Sequence, residues 1–123
     1  MVSPSRWASF KFALSGWLHM LRYQRNTRIQ AAASVLVVLA GLWLGLTPLE
    51  WAILVLTITL EWMAEFINAA IEAAVNLASA EMHPMAKVSK DVAAAAVLMG
   101  AVSAAIIGVL ILGPRLLARL TGG

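Results

Sequence analysis

Glu65, Asn68 and Glu72 are the residues of this sequence whose types and spacing could do chemistry. At 100° per residue they share one narrow helix face with Glu61, and Asn76 and Ser79 extend the same stripe. Glu61, Glu65 and Glu72 are three of only six acidic residues, set in an otherwise apolar run. Acids on a hydrophobic helix are costly unless they meet metal, protons or cationic partners. Carboxylates and an amide at i, i+3 and i+7 line up oxygen ligands along one side of a cleft. Such a row suits Mg²⁺, which takes one or two carboxylates and completes its octahedron with water and phosphate oxygens. Downstream, Lys87 and Lys90, with Asp91 beside them, supply cations that would balance phosphate charge, and a second carboxylate could take a proton from an alcohol. The same stripe also reads as a polar seam between helices, or as an ion or proton path. Spacing alone does not separate these readings.

The elements that must position the stripe follow from composition. The chain has 123 residues, 62% hydrophobic and 12% charged, with a mean hydropathy of +0.87. Soluble domains carry about twice that charge. The composition predicts a single all-α integral membrane domain over residues 1–123. So short a chain needs neighbouring copies to bury polar helix faces, which predicts a homo-oligomer. There is no cysteine, so disulfides and Cys-based zinc sites are excluded. The net charge of +3 fits anionic lipid headgroups rather than nucleic acid. No glycine-rich phosphate loop and no H-E-x-x-H motif is present. His19 and His83 stand on different segments and read as interfacial residues.

Residues 5–25 read as an amphipathic surface helix, with Trp7, Phe10, Leu14, Trp17, Leu18 and Leu21 at helical spacing and Arg6, Lys11, Arg22 and Arg25 among them. It lacks the continuous apolar core and cleavage site of a signal peptide. Three spanning helices are predicted at 29–46, 48–80 and 92–113. The first is just long enough for a hydrocarbon core of about 30 Å, and its Gly41 and Gly45 suggest close helix approach. Pro48 suits the opening turn of the second. Residues 81–91 read as a polar loop, and Gly113-Pro114 as the end of the third span before a basic tail.

Charge sets the expected topology. Arg6, Lys11, Arg22, Arg25, Arg28, Lys87 and Lys90 fall to one side, against Arg115 and Arg119 on the other. This positive-inside bias predicts a cytoplasmic N-terminus and 81–91 segment, with the C-terminus outside. The acidic stripe then points toward the face where ATP and Mg²⁺ are available.

Glu65-x-x-Asn68-x-Ala70-Ile71-Glu72, followed by His83-Pro84-x-Ala86-Lys87-x-x-Lys90-Asp91-x-Ala93-Ala94-Ala95, resembles the prokaryotic diacylglycerol kinase family, which includes the undecaprenol kinases. The resemblance runs over nearly the whole chain. It implies a homotrimeric kinase of the bacterial inner membrane, with composite sites between protomers. Such an enzyme moves the γ-phosphate of ATP onto the hydroxyl of a membrane lipid alcohol. It implies Glu65 as the base, Asn68 orienting neighbours or phosphate, Glu72 on Mg²⁺, and Lys90 and Asp91 on the nucleotide phosphates and their metal. The family's second metal-binding glutamate is replaced by Gln24, whose carbonyl oxygen lacks charge. Ala69 stands where the family commonly has Ser or Thr, and Asn76 where it commonly has Asp. Glu61 falls outside the motif.

The resemblance leaves the acceptor between diacylglycerol, which gives phosphatidic acid, and undecaprenol. Arg25-Asn26-x-Arg28-Ile29 looks more like the undecaprenol kinases, while the commoner assignment in the family is diacylglycerol. The competing class, an ion- or proton-conducting oligomer, would make Glu61 central but gives no reason for the Lys90–Asp91 pair.

Overall fold

A computed structural model describes residues 5–79 and 83–122. Within them the chain forms four helices: α1 (Arg6–Tyr23), α2 (Arg25–Leu44), α3 (Pro48–Ala78) and α4 (Pro84–Leu120). The last three are long and apolar enough to cross a membrane. Packing divides the chain into two compact units, residues 1–33 and 34–123.

In the first unit, Ser5 caps α1 by accepting the Ala8 N–H at 3.1 Å. The helix stops at Gln24, which is extended at φ −108 and ψ 110 and gives its N–H to the Met20 carbonyl. The Arg28 guanidinium then donates to the Leu21 and Arg22 carbonyls at 3.2 and 2.9 Å. Those oxygens are among the four that a helix C-terminus leaves unbonded, so Arg28 closes α1 from the first turn of the next helix. This clasp lets the chain restart at Arg25 with one intervening residue, four residues earlier than the expected start at Ile29.

In the second unit, α2 ends at Leu44 and Gly45 follows at φ +72, its N–H on the Gly41 carbonyl at 3.0 Å. That left-handed cap requires glycine. Gly41 serves packing instead: a Cβ there would lie 2.7 Å from Trp51 Cη2. The G-x-x-x-G spacing therefore combines one close contact with one cap. Thr47 and Glu50 form a capping box at the start of α3, with Thr47 N–H on Glu50 Oε1 at 2.9 Å and Glu50 N–H on Thr47 Oγ1 at 3.2 Å.

α3 and α4 pack as antiparallel neighbours. Leu46, Leu54 and Ile111 are buried, with Val37, Trp51, Ile58, Ile107 and Leu112 around them. Trp62 Nε1 donates to Ser34 Oγ at 3.0 Å, tying α3 to the adjoining part of α2. Leu36, Leu56, Leu60, Leu98, Met99 and Val109 point outward, as lipid-facing helices require.

Two boundaries of α4 correct the sequence reading. The expected polar loop is largely helix: His83 Nδ1 accepts the Met85 N–H at 3.0 Å, and Pro84 fills the first helical position. Residues 84–91 thus belong to the opening turns of α4, while positions 80–82, including the expected end of the second span, lie outside the described residues. At the other end α4 runs through Pro114 to Leu120. Pro114 costs one backbone hydrogen bond, but the turns beyond it are held from outside. Arg115 pairs with Glu50 through two nitrogens, Nε at 3.0 Å, and also donates to the Gly45 carbonyl. Arg119 donates to the Trp43 carbonyl at 2.6 Å and lies over the Trp43 ring, 4.9 Å from its centroid.

Candidate functional site

The acidic stripe occupies the middle and end of α3, a single helix of 31 residues. Glu65 is 6% exposed, and Glu61, Asn68 and Glu72 are half-buried. Among the described residues the ion pairs are Lys87–Asp91 and Glu50–Arg115. No basic side chain there neutralises Glu61, Glu65 or Glu72. A buried carboxylate normally has a partner, because leaving water costs far more than apolar packing returns. The Asn68 side-chain oxygen is likewise buried without a hydrogen-bond partner. Native interiors rarely tolerate such an atom unless something else fills its valence. One helix face therefore presents two acceptor groups one turn apart, followed by Glu72 a further turn along.

The cationic end of the site comes from α4. Lys90 Nζ donates to Asn76 Oδ1 at 2.6 Å. Asn76 is one turn beyond Glu72 on α3, so this bond brings Lys90 to the end of the stripe. Lys87 and Asp91 pair with each other at 2.6 Å and stay largely exposed. Lys90 therefore joins the α3 row within the protomer, whereas Asp91 is held by Lys87. Gln24, half-buried, stands at the break between α1 and α2 in the N-terminal unit.

No three His, Asp or Glu side chains among the described residues converge into a ready-made metal group. Mg²⁺ does not need one, since substrate phosphates and waters supply most of its ligands. The unpartnered Asn68 oxygen and the uncompensated Glu65 and Glu72 carboxylates form a donor set of the right hardness. The sequence puts Asn76 on the stripe and marks it as a departure from the motif, but gives it no partner. Its place four residues after Glu72 was the available signal, but the partner lies 14 residues away across a helix connection. Glu61 faces a separate groove of about 180 Å³ lined by Thr57, Leu60, Met99, Gly100, Ser103 and Ile107.

Comparison with known proteins gives these features a context. Residues 11–112 match the family model for prokaryotic diacylglycerol kinase. The chain is 38% identical over 117 residues to a protein of Synechocystis sp. named diacylglycerol kinase, covering 94% of this chain and 67% of that one. It is 41% identical over 108 residues to a Bacillus subtilis protein named undecaprenol kinase, covering 88% of each. It is 28% identical over 98 residues to the Escherichia coli K12 diacylglycerol kinase, covering 80% of this chain and 77% of that protein.

Proposed function

The chain belongs to the prokaryotic diacylglycerol kinase family, and from that premise we propose how its residues carry lipid phosphorylation. It is a membrane lipid kinase that moves the γ-phosphate of ATP onto a lipid alcohol. The acceptor we favour is diacylglycerol, giving phosphatidic acid. Undecaprenol is the second reading, favoured by the Bacillus subtilis relative that carries that name across nearly the full length.

The observation that carries the mechanism is Glu65, a buried carboxylate without a cationic partner, on the same helix face as the unpartnered Asn68 oxygen. In the reaction Glu65 accepts the proton of the lipid hydroxyl as that oxygen bonds to the γ-phosphorus. The bond from γ-phosphorus to the bridging oxygen breaks, and ADP leaves with the electron pair. Asn68 orients the phosphate or its neighbours. Lys90 lies against the phosphates, and Asp91, on release from Lys87, serves the nucleotide and its metal. Glu72 would hold Mg²⁺, and the Gln24 carbonyl oxygen would be a weaker ligand. The ion when bound neutralises phosphate charge and aligns the transferred group.

We place the protein in the bacterial inner membrane as a homotrimer with sites shared between protomers. In this arrangement α1 is a surface helix, the N-terminus is cytoplasmic and the C-terminus is outside. Trp7, Phe10, Phe12 and Leu18 on α1 are exposed, and Lys11 lies over the Trp7 ring. Both features support an interfacial helix. Purified protein in mixed micelles with labelled ATP, Mg²⁺ and each alcohol in turn tests the reading. Transfer to diacylglycerol is expected to exceed transfer to undecaprenol. The reverse preference would make it an undecaprenol kinase, and transfer to neither by intact oligomer would overturn the kinase reading.

A further inference from the structure

Two lysines stand at the start of α4, and their charges are handled differently. Lys87 meets the Asp91 carboxylate, four residues on, with both side chains largely in solvent. Lys90 meets a neutral carbonyl, Asn76 Oδ1, reaching from the end of α3. A carboxylate partner would fix the ammonium and also cancel its charge. An amide partner fixes it and leaves the charge in place.

The location adds to the effect. α3 ends at Ala78, so the Lys90 ammonium sits beside its last turn, the negative end of the helix dipole, where a cation is favoured. Glu72 lies one turn back along the same face. An untethered lysine at this point would have to freeze its long, flexible stem each time a phosphate arrived.

Resting on the kinase reading above, we propose that Asn76 is a positioning residue for the nucleotide: its side-chain carbonyl aims the Lys90 ammonium at the ATP phosphates without neutralising it. Asn76 touches neither reacting atom and acts through Lys90. The bond also ties α3 to α4 close to their connection, so the cation keeps its place relative to Glu72. On binding, Lys90 keeps its amide contact with one N–H and offers the other two to phosphate oxygens, since an ammonium has three donors.

The test uses the full chain in lipid–detergent micelles. Equilibrium binding of a non-hydrolysable ATP analogue with Mg²⁺ is measured beside KM and kcat. Asn76→Ala is expected to weaken analogue binding and raise the KM for ATP by roughly three- to tenfold, about what one lost hydrogen bond contributes, with kcat little changed. In a Lys90→Met background the same substitution should add nothing, because its effect runs through the lysine. Asn76→Asp keeps the tether but cancels charge, so it should bind the analogue more weakly and with a flatter dependence on ionic strength. Wild-type affinity in Asn76→Ala would overturn the proposal. So would an equal loss in both backgrounds, or wild-type affinity in Lys90→Met. The two levels of failure are distinguishable: absence of transfer to any lipid alcohol strikes the kinase reading, while an additive binding cycle strikes Asn76 alone.

Discussion

Glu65 occupies a place where a neutral residue of the same shape would sit more comfortably. It is buried and no cation among the described residues offsets it, so the protein carries a cost there that function must justify. Glu65→Gln removes the charge and keeps the volume. It is expected to reduce transfer by about 10²–10⁴-fold, the usual contribution of a general base, while the thermal midpoint stays level or rises. A variant that keeps its rate would remove Glu65 from the chemistry. Gln24 makes the opposite case, a site residue lacking charge. Gln24→Glu is expected to lower the Mg²⁺ concentration needed for half-maximal rate, and an unchanged metal titration would separate Gln24 from the ion. At this scale the acidic row was legible, because 3.6-residue periodicity places Glu65, Asn68 and Glu72 on one face whatever surrounds them. The Lys90–Asn76 bond was not, since it depends on how two helices pair across their connection.

The helices follow the hydrophobic pattern, and their ends follow capping chemistry that hydropathy does not register. His83 is an unusual cap, so the polar residues after it looked like loop. Its ring nitrogen and Pro84 nevertheless start α4 there and put Lys87, Lys90 and Asp91 on rigid backbone. Gly113-Pro114 looked like a stop, yet α4 continues because Arg115 and Arg119 grip the α2–α3 turn. Glu50 holds both the capping box and Arg115. Arg115→Met should therefore lower the thermal midpoint, and adding Glu50→Gln should lower it by less than the two separate losses combined. Additive losses would show that the pair acts as two independent contacts. The glycines of α2 and α4 divide on the same grounds. Gly41→Ala drives a methyl against the Trp51 ring, for a cost of roughly 1–3 kcal/mol. Gly108 has open space around it, and Gly108→Ala should raise the unfolding midpoint slightly, since alanine favours a helix interior over glycine by about 0.5–1 kcal/mol.

For the whole molecule, the distribution of charge decides how the chain sits in a bilayer. The two basic residues at the far end of α4 are occupied by protein groups: Arg115 by Glu50 and the Gly45 carbonyl, Arg119 by the Trp43 carbonyl and ring. Pairing of this kind leaves little free positive charge to oppose export of that end. Arg6, Lys11, Arg22 and Arg25 crowd α1 and the turn after it, and Lys87 and Lys90 open α4. Anionic lipid on the cytoplasmic leaflet attracts such clusters, at about 1 kcal/mol per basic residue close to the surface. The topology proposed above, with α1 and the start of α4 inside, accords with this distribution. The cysteine-free sequence makes this directly measurable. Ser9 and Thr121 are exposed, so a single cysteine at either site is open to a membrane-impermeant thiol reagent. Ser9→Cys is expected to react only after the inner membrane is opened, and Thr121→Cys to react in intact spheroplasts. The reverse pattern would invert the topology. It would also move Glu65, Asn68 and Glu72 toward a compartment without ATP, so the labelling result bears on the kinase mechanism as directly as on the orientation.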